Sequence, residues 1–291
     1  MNAKDFFAPR NRRVRLLVGL LLAVLFCVQC TRVMIQPDKY ISVIPGEEVV
    51  KAEKQAADAQ ISKLAKDNHI ALLEKCLDNY KNTISSYRCT LVKQERIGGS
   101  LLPEQVVDVK FMQSPFSVAM AWQTNPGQGD RVLYVQGKWN DKMIVRPTNA
   151  LARALAGGSV AVDPRGKDAR AASLRTVDEF GFERSLQNLL EVYRKAKAAG
   201  DLKEQFGGYL RIANRDTLVI VRLLPPKDDY PAAKTETFID LERLVPICVR
   251  GWGWQKTPEL LCNYVYKDIR WNEPLKAADF FPEANEIKGR K

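Results

Sequence analysis

Histidine is almost missing from this chain: His69 is the only one in 291 residues. That count excludes a histidine-rich metal site. A Ser-His-Asp triad would have to use His69, which falls in a predicted helix away from any serine motif. Neither G-x-S-x-G nor H-E-x-x-H occurs. A phosphate loop is also missing. Gly166-Lys167 is followed by Asp168, where a magnesium-binding Ser or Thr belongs, and the glycine spacing is wrong. There is no internal repeat. Long apolar runs are scarce, and the one that stands out, Leu16–Val28, lies near the start. What remains is ordinary for a globular chain of one or two domains, with 46% hydrophobic residues and room for a sizeable core.

The charge is uneven at the beginning. Lys4, Arg10, Arg12, Arg13 and Arg15 face a single acid, Asp5, and account for +4 of the formal net charge of +11. A basic leader followed by an apolar stretch is the form of a secretory signal. A membrane-spanning helix needs about 20 apolar residues, a length reached only by reading on past Gln29 and Arg32 to Ile35. Residues 1–35 are therefore expected to be a signal peptide or a membrane anchor, and both readings stay open. Lipidation at Cys27 or Cys30 is disfavoured, because Phe26 and Gln29 stand where a small residue is needed. The expected location is the periplasm or cell envelope, with anchoring to the inner membrane as the alternative form. The remaining basic residues are dispersed and suit anionic lipid or envelope polymer, and export argues against nucleic acid.

Past the leader, Pro37, Pro45 and Gly46 suggest a tether, and residues 47–66 read as a solvated helix, so 36–66 is taken as a linker. Leu73, Cys76, Leu77, Tyr80 and Ile84 then recur at three and four, one apolar face of a helix. On this helix His69 is expected at the surface or in packing. After Ser85 the period becomes two. Val107, Val109 and Phe111 alternate with Asp108 and Lys110, and Phe116, Val118, Met120 and Trp122 follow the same rule. Five consecutive strands are predicted between Tyr87 and Arg146, with turns at Gly98-Gly99, Ser114-Pro115 and Asn125-Pro126-Gly127. Residues 148–182 read as a loop. A helix is predicted over 183–199, capped by Gly200. Strands resume over 209–213, 217–224, 234–240, 244–252 and 259–268, and Leu218–Val221 is apolar on both faces. Residues 283–291 read as a polar tail. The expectation is an α+β domain over 67–282: a large curved antiparallel sheet covered by a few helices.

The four cysteines beyond the leader leave two readings open. An oxidising compartment would allow Cys248–Cys262 and Cys76–Cys89 disulfides, or all four could be buried thiols. The tryptophans Trp252, Trp254 and Trp271 could line an apolar pocket, grip a sugar or pack a sheet face, and packing is the commoner role. Acidic residues are plentiful, so a paired-carboxylate hydrolase of envelope polymer is a third reading, although no pair is singled out.

Two stretches carry a resemblance. One is Cys89-Thr-Leu-Val-Lys-Gln-Glu-Arg-Ile-Gly-Gly99, followed by Leu102-Pro-Glu-Gln105, Pro115–Trp122 and Val132–Gly137; it resembles a bacterial family known as domain of unknown function 1571. The other is Phe238-Ile-Asp240, Leu244-Val-Pro246 and Tyr266–Asn272 with Asp279-Phe280; it is similar to the closing strands of the LolA/LolB lipoprotein-carrier superfamily. The resemblance covers roughly residues 75–282. It implies a half-open β-barrel with helices as a lid over an apolar cavity, which in the carriers holds lipoprotein acyl chains. No catalytic residue, metal or cofactor comes with it. The partners it implies are lipid or lipoprotein acyl chains at a membrane. The strand alternation nominates Phe111, Phe116, Val118, Met120, Trp122 and Leu218 as cavity-lining residues. A one-residue register error would turn that set to the other face.

Overall fold

A computed structural model of the chain describes residues 39–43 and 59–288. The proposed leader, 1–35, lies outside them. Among the described residues no helix is long and apolar enough to cross a membrane.

The period-two stretches pair into one antiparallel sheet. Its strands are β1 (Ile41–Val43), β2 (Ser86–Ile97), β3 (Ser100–Leu101), β4 (Gln105–Met112), β5 (Ser117–Thr124), β6 (Gly129–Val135), β7 (Met143–Pro147), β8 (Val160–Val162), β9 (Lys203–Ile212), β10 (Arg215–Leu223), β11 (Lys234–Asp240), β12 (Pro246–Trp252) and β13 (Leu260–Trp271). The order across the sheet is β1-β9-β10-β11-β12-β13-β2-β4-β5-β6-β7-β8, with β3 hairpinned onto β2. The β2–β3 turn works because Gly98 and Gly99 both take positive φ, +58° and +85°, which side chains with a Cβ resist. Pairing of β13 with β2 joins the two halves of the chain at the sheet's centre.

Among the described residues five α-helices accompany the sheet: α1 (Ala59–Asp67), α2 (His69–Thr83), α3 (Ala150–Leu155), α4 (Lys167–Ala172) and α5 (Phe182–Ala198). Residues directly opposite in neighbouring strands share a face. Alternate residues of one strand do so too, so Leu218 and Ile220 lie on the same face as Arg222, which stacks over Tyr193 of α5 at 5.2 Å. Tyr209, opposite Leu218, bonds Ser62 of α1 through its hydroxyl at 2.7 Å. Helices α1, α2 and α5 therefore fill this face over β9 and β10. α2 presents Leu72, Leu73, Cys76 and Tyr80, and α5 presents Leu186, Leu189, Leu190 and Tyr193, all buried.

The same face continues onto β2, β4, β5 and β6, which α5 meets at its first turn, where Phe182 lies 4.9 Å from Tyr87 of β2. A second cover lies there, and it corrects one expectation. Residues 148–182 are not a plain loop: α3, β8 and α4 form within them, and β8 extends the sheet beyond β7. Asn149 caps α3 by accepting from the Ala152 amide at 2.9 Å. The stretch carries little periodicity because two six-residue helices and a three-residue strand are too short to show any.

Two further expectations change. Residues 283–288 pack instead of forming a solvated tail. Ile287 is buried with Leu133, Ile144 and Phe280, and Arg146 donates to the Glu286 carbonyl at 2.9 Å. In the stretch read as a linker, Ile41–Val43 pairs with β9, and Ile61 and Ala65 of α1 are buried.

The four cysteines are free. On β12 and β13, Cys248 faces Val265 while Cys262 faces Gly251. That three-residue offset puts the two thiols on opposite faces of the sheet, beyond the reach of a bridge. Burial raises Cys76 to about 12 and Cys262 to about 11, so both are protonated thiols.

One glycine fixes how α5 enters. Gly181 precedes it at φ +106°, and a Cβ there would sit 3.0 Å from Phe111 Cε2. Gly181→Ala is expected to destabilise the fold by about 1–3 kcal/mol, through backbone strain and overpacking together. Urea unfolding of the full chain measures it.

Candidate functional site

Where the helices end, the sheet leaves a hollow of about 830 Å³. Such a volume lies within the range of small-ligand sites. Its floor comes from the alternation that made the strands. Leu91 lies opposite Val107 and Tyr266, Met120 opposite Val132, and Val132 opposite Val145, and all of them line the hollow. The 148–182 segment supplies the opposing wall through Ala152, Ala169, Ala172 and Val177. The wall is mainly aliphatic and aromatic, so an apolar chain entering it would leave water on most sides.

The two ends differ. Toward the start of β2, the hollow runs into an aromatic cluster. Phe180 and Tyr266 line it, with centroids 6.1 Å apart. Behind them Phe182 sits 4.7 Å from Tyr266, and Tyr87 stacks on Phe111 at 4.8 Å. Toward the end of β2 the lining turns polar. Glu95, 3% exposed, accepts from the Tyr264 hydroxyl at 2.6 Å and from Lys93 Nζ at 2.9 Å. Ser173 bridges the pair, accepting from Lys93 at 3.0 Å and donating to Glu95 at 3.1 Å. Burial, with the Glu95 carboxylate close by, holds the Tyr264 hydroxyl well above its usual range, so it acts as a donor. Leu91 and Glu95 are four residues apart on β2, roughly 13 Å along the strand, so the hollow has a long axis with unlike ends.

The six nominated residues separate into three groups. Met120 and Trp122 line the hollow, both half-buried, and Trp122 Nε1 donates to Gln105 Oε1 at 3.1 Å. Phe111, Phe116 and Val118 share their face but pack into the aromatic end; Phe116 meets Phe111 and Tyr134 edge-on. Leu218 is fully buried in the helix-filled half of the sheet, apart from the hollow. Strand periodicity could not have found the covering segment, nor the polar end at Lys93, Glu95 and Ser173. Lys93 and Glu95 lie on a strand whose apolar alternation stops at Leu91, and Ser173 follows a helix too short to show a period.

Other candidates for chemistry take structural places. His69 is fully buried, and burial lowers its pKa to about 4. Neutral, it donates from Nε2 to the Ala65 carbonyl at 2.9 Å and accepts from the Tyr193 hydroxyl at Nδ1, 3.3 Å. Trp252 is buried, Trp271 belongs to the aromatic cluster, and Trp254 donates to the Leu224 carbonyl at 3.0 Å. Among the described residues no group of three or more His, Cys, Asp or Glu is placed to hold a metal.

Comparisons with known proteins bear on the same region. The family described as "Protein of unknown function (DUF1571)" matches residues 84–288, which takes in every strand from β2 to β13. A search of the curated proteins finds no match. Similar solved structures include MucB of Pseudomonas aeruginosa, in a complex with MucA, at 14% identity and a TM-score of 0.43. The likeness covers 75% of this chain but only 62% of that one, less than two thirds of its length. The lipoprotein LppX of Mycobacterium tuberculosis is 17% identical with a TM-score of 0.42, over 71% of this chain and 96% of its own. A LolA superfamily protein of Nitrosomonas europaea is 9% identical with a TM-score of 0.35, over 72% and 98%.

Proposed function

This chain belongs to the DUF1571 family, and from that premise and the hollow in its sheet we propose that it is a non-enzymatic envelope protein that holds an acyl chain. The bound species is a lipid or a lipidated protein, and the role is that of a carrier or sensor. The observation that carries the reading is the 830 Å³ hollow, with an apolar floor and a second wall from the 148–182 segment. Each methylene moved from water into such a site contributes about 0.8 kcal/mol. Affinity then needs no reactive group, and none is required of the residues around it. The basic and apolar leader at 1–35 is what would deliver the domain to the envelope, with or without remaining as an anchor.

Titration of the full chain with N-phenyl-1-naphthylamine, an uncharged apolar fluorophore, tests this. Saturable enhancement, reversed by dodecanol, is expected. A linear, non-saturating signal that dodecanol leaves unchanged would defeat the reading.

A second reading, a protein-binding envelope module, draws on α3, where Leu151 and Leu155 are 69% and 81% exposed. Crosslinking in cells that captured one protein at α3, with an empty hollow, would favour it.

A further inference from the structure

The polar end of the hollow has an unbalanced hydrogen-bonding capacity. Among the described residues Glu95 supplies its one buried carboxylate, and both oxygens are occupied, Oε1 by Tyr264 and Oε2 by Lys93, with the single Ser173 hydroxyl shared between them. The donors are not exhausted. Lys93 carries three N–H groups and uses two, on Glu95 and Ser173. Arg175 also lines the hollow; it is exposed, and its guanidinium lies over the Tyr264 ring at 5.8 Å. Among the described residues Arg175 has no ion-pair partner. The cross-strand row that starts at Glu95 runs through Cys262, Gly251 and Thr235 to Arg222. Arg222, 2% exposed, has no hydrogen-bond partner at Nε and Nη1, but it lies four strands from Glu95 over Tyr193, outside the lining of the hollow, and contributes charge there only at a distance.

A group bound at this end would therefore meet donors and positive charge, beside one carboxylate already neutralised by Lys93. Two more acids line the hollow, Asp168 on the exposed α4 and Glu179 ahead of Phe180, and neither bonds to the Lys93–Glu95–Ser173 cluster. The opposite end, at Phe180 and Tyr266, presents mainly aromatic surface to a chain. We propose that the hollow binds an amphiphile in one direction, with its acyl chain toward Phe180 and Tyr266 and an anionic headgroup, a phosphate or carboxylate, between Lys93 and Arg175. This rests on the acyl-chain reading above and names the class of lipid. A planar guanidinium with no hydrogen-bond partner among the described residues suits a phosphate or carboxylate in the bidentate mode.

The test displaces N-phenyl-1-naphthylamine from the full chain with dodecyl phosphate, dodecanol or inorganic phosphate, each below any micelle-forming concentration. Dodecyl phosphate is expected to displace the probe at about tenfold lower concentration than dodecanol, the gain of one charge-assisted contact. Arg175→Gln is expected to remove most of that preference while leaving dodecanol unchanged. Arg175 makes no ion pair, so the substitution should leave folding intact. Arg184→Gln, on the exposed side of α5, removes the same charge elsewhere and should keep the preference. Equal displacement by alcohol and phosphate in the unsubstituted chain would overturn the headgroup proposal while the cavity reading stood. An undiminished preference in Arg175→Gln, or an equal loss in Arg184→Gln, would overturn it as well. So would inorganic phosphate abolishing the preference at the concentration of dodecyl phosphate used, since a free anion would then fill the site. If no chain-bearing compound displaces the probe, the acyl-chain reading itself fails.

Discussion

Phe182→Ala is expected to lower the free energy of unfolding by about 3–5 kcal/mol, the upper range for losing a buried aromatic. Phe182 is fully buried at the first turn of α5 and has four aromatic neighbours. Its centroid lies 4.7 Å from Tyr266, 4.9 Å from Tyr87, 5.5 Å from Trp271 and 6.2 Å from Tyr80. Those neighbours come from β13, β2 and α2, so one side chain ties α5 to the centre of the sheet and to the other long helix. Rings held by three separate elements cannot all collapse into the space left behind, and the cavity term should persist. Equilibrium urea denaturation of the full chain measures the loss. A decrease below about 1 kcal/mol would mean that the site relaxes freely, contrary to the packing described.

The second large effect concerns binding. Met120 is half-buried at the floor of the hollow, opposite Val132 and beside Trp122. Met120→Trp enlarges a side chain that already points into space, so the fold should lose little. The ring would take the room of about three methylenes of a bound chain, worth roughly 2–3 kcal/mol, and weaken binding about fiftyfold. The variant keeps the apolar leader, so it separates probe bound in the hollow from probe bound to residues 16–28. Unchanged affinity in Met120→Trp would place the chain elsewhere.

Much of the sheet was legible because its signal is local. The alternation of Val107, Val109 and Phe111 with Asp108 and Lys110 is reproduced in the burial of β4. Leu218–Val221, apolar on both faces, is fully buried between β9 and β11. The helix ending near Gly200 appears as α5, with Gly200 at φ +71° just past its last turn. The site was less legible, for a physical reason. Alternation says which side chains share a face, but not which part of that face is filled. Leu218 and Met120 lie on one face of one sheet. α1, α2 and α5 fill it over Leu218, while it stays hollow over Met120, and this difference is set by contacts far apart in sequence. The cover over the hollow comes from 148–182, whose short elements leave no periodic trace. Cys248 and Cys262 show the same limit. Their strands were readable, but the three-residue offset that separates the thiols exists only in the register.

The most direct test is the lipid content of the protein itself. The full chain and Met120→Trp would be purified without detergent, extracted with organic solvent and analysed by mass spectrometry. An acyl-chain site in the hollow predicts a long-chain lipid near one per protein in the unsubstituted chain and severalfold less in Met120→Trp. No lipid in the unsubstituted chain, or the same amount in both, would contradict it.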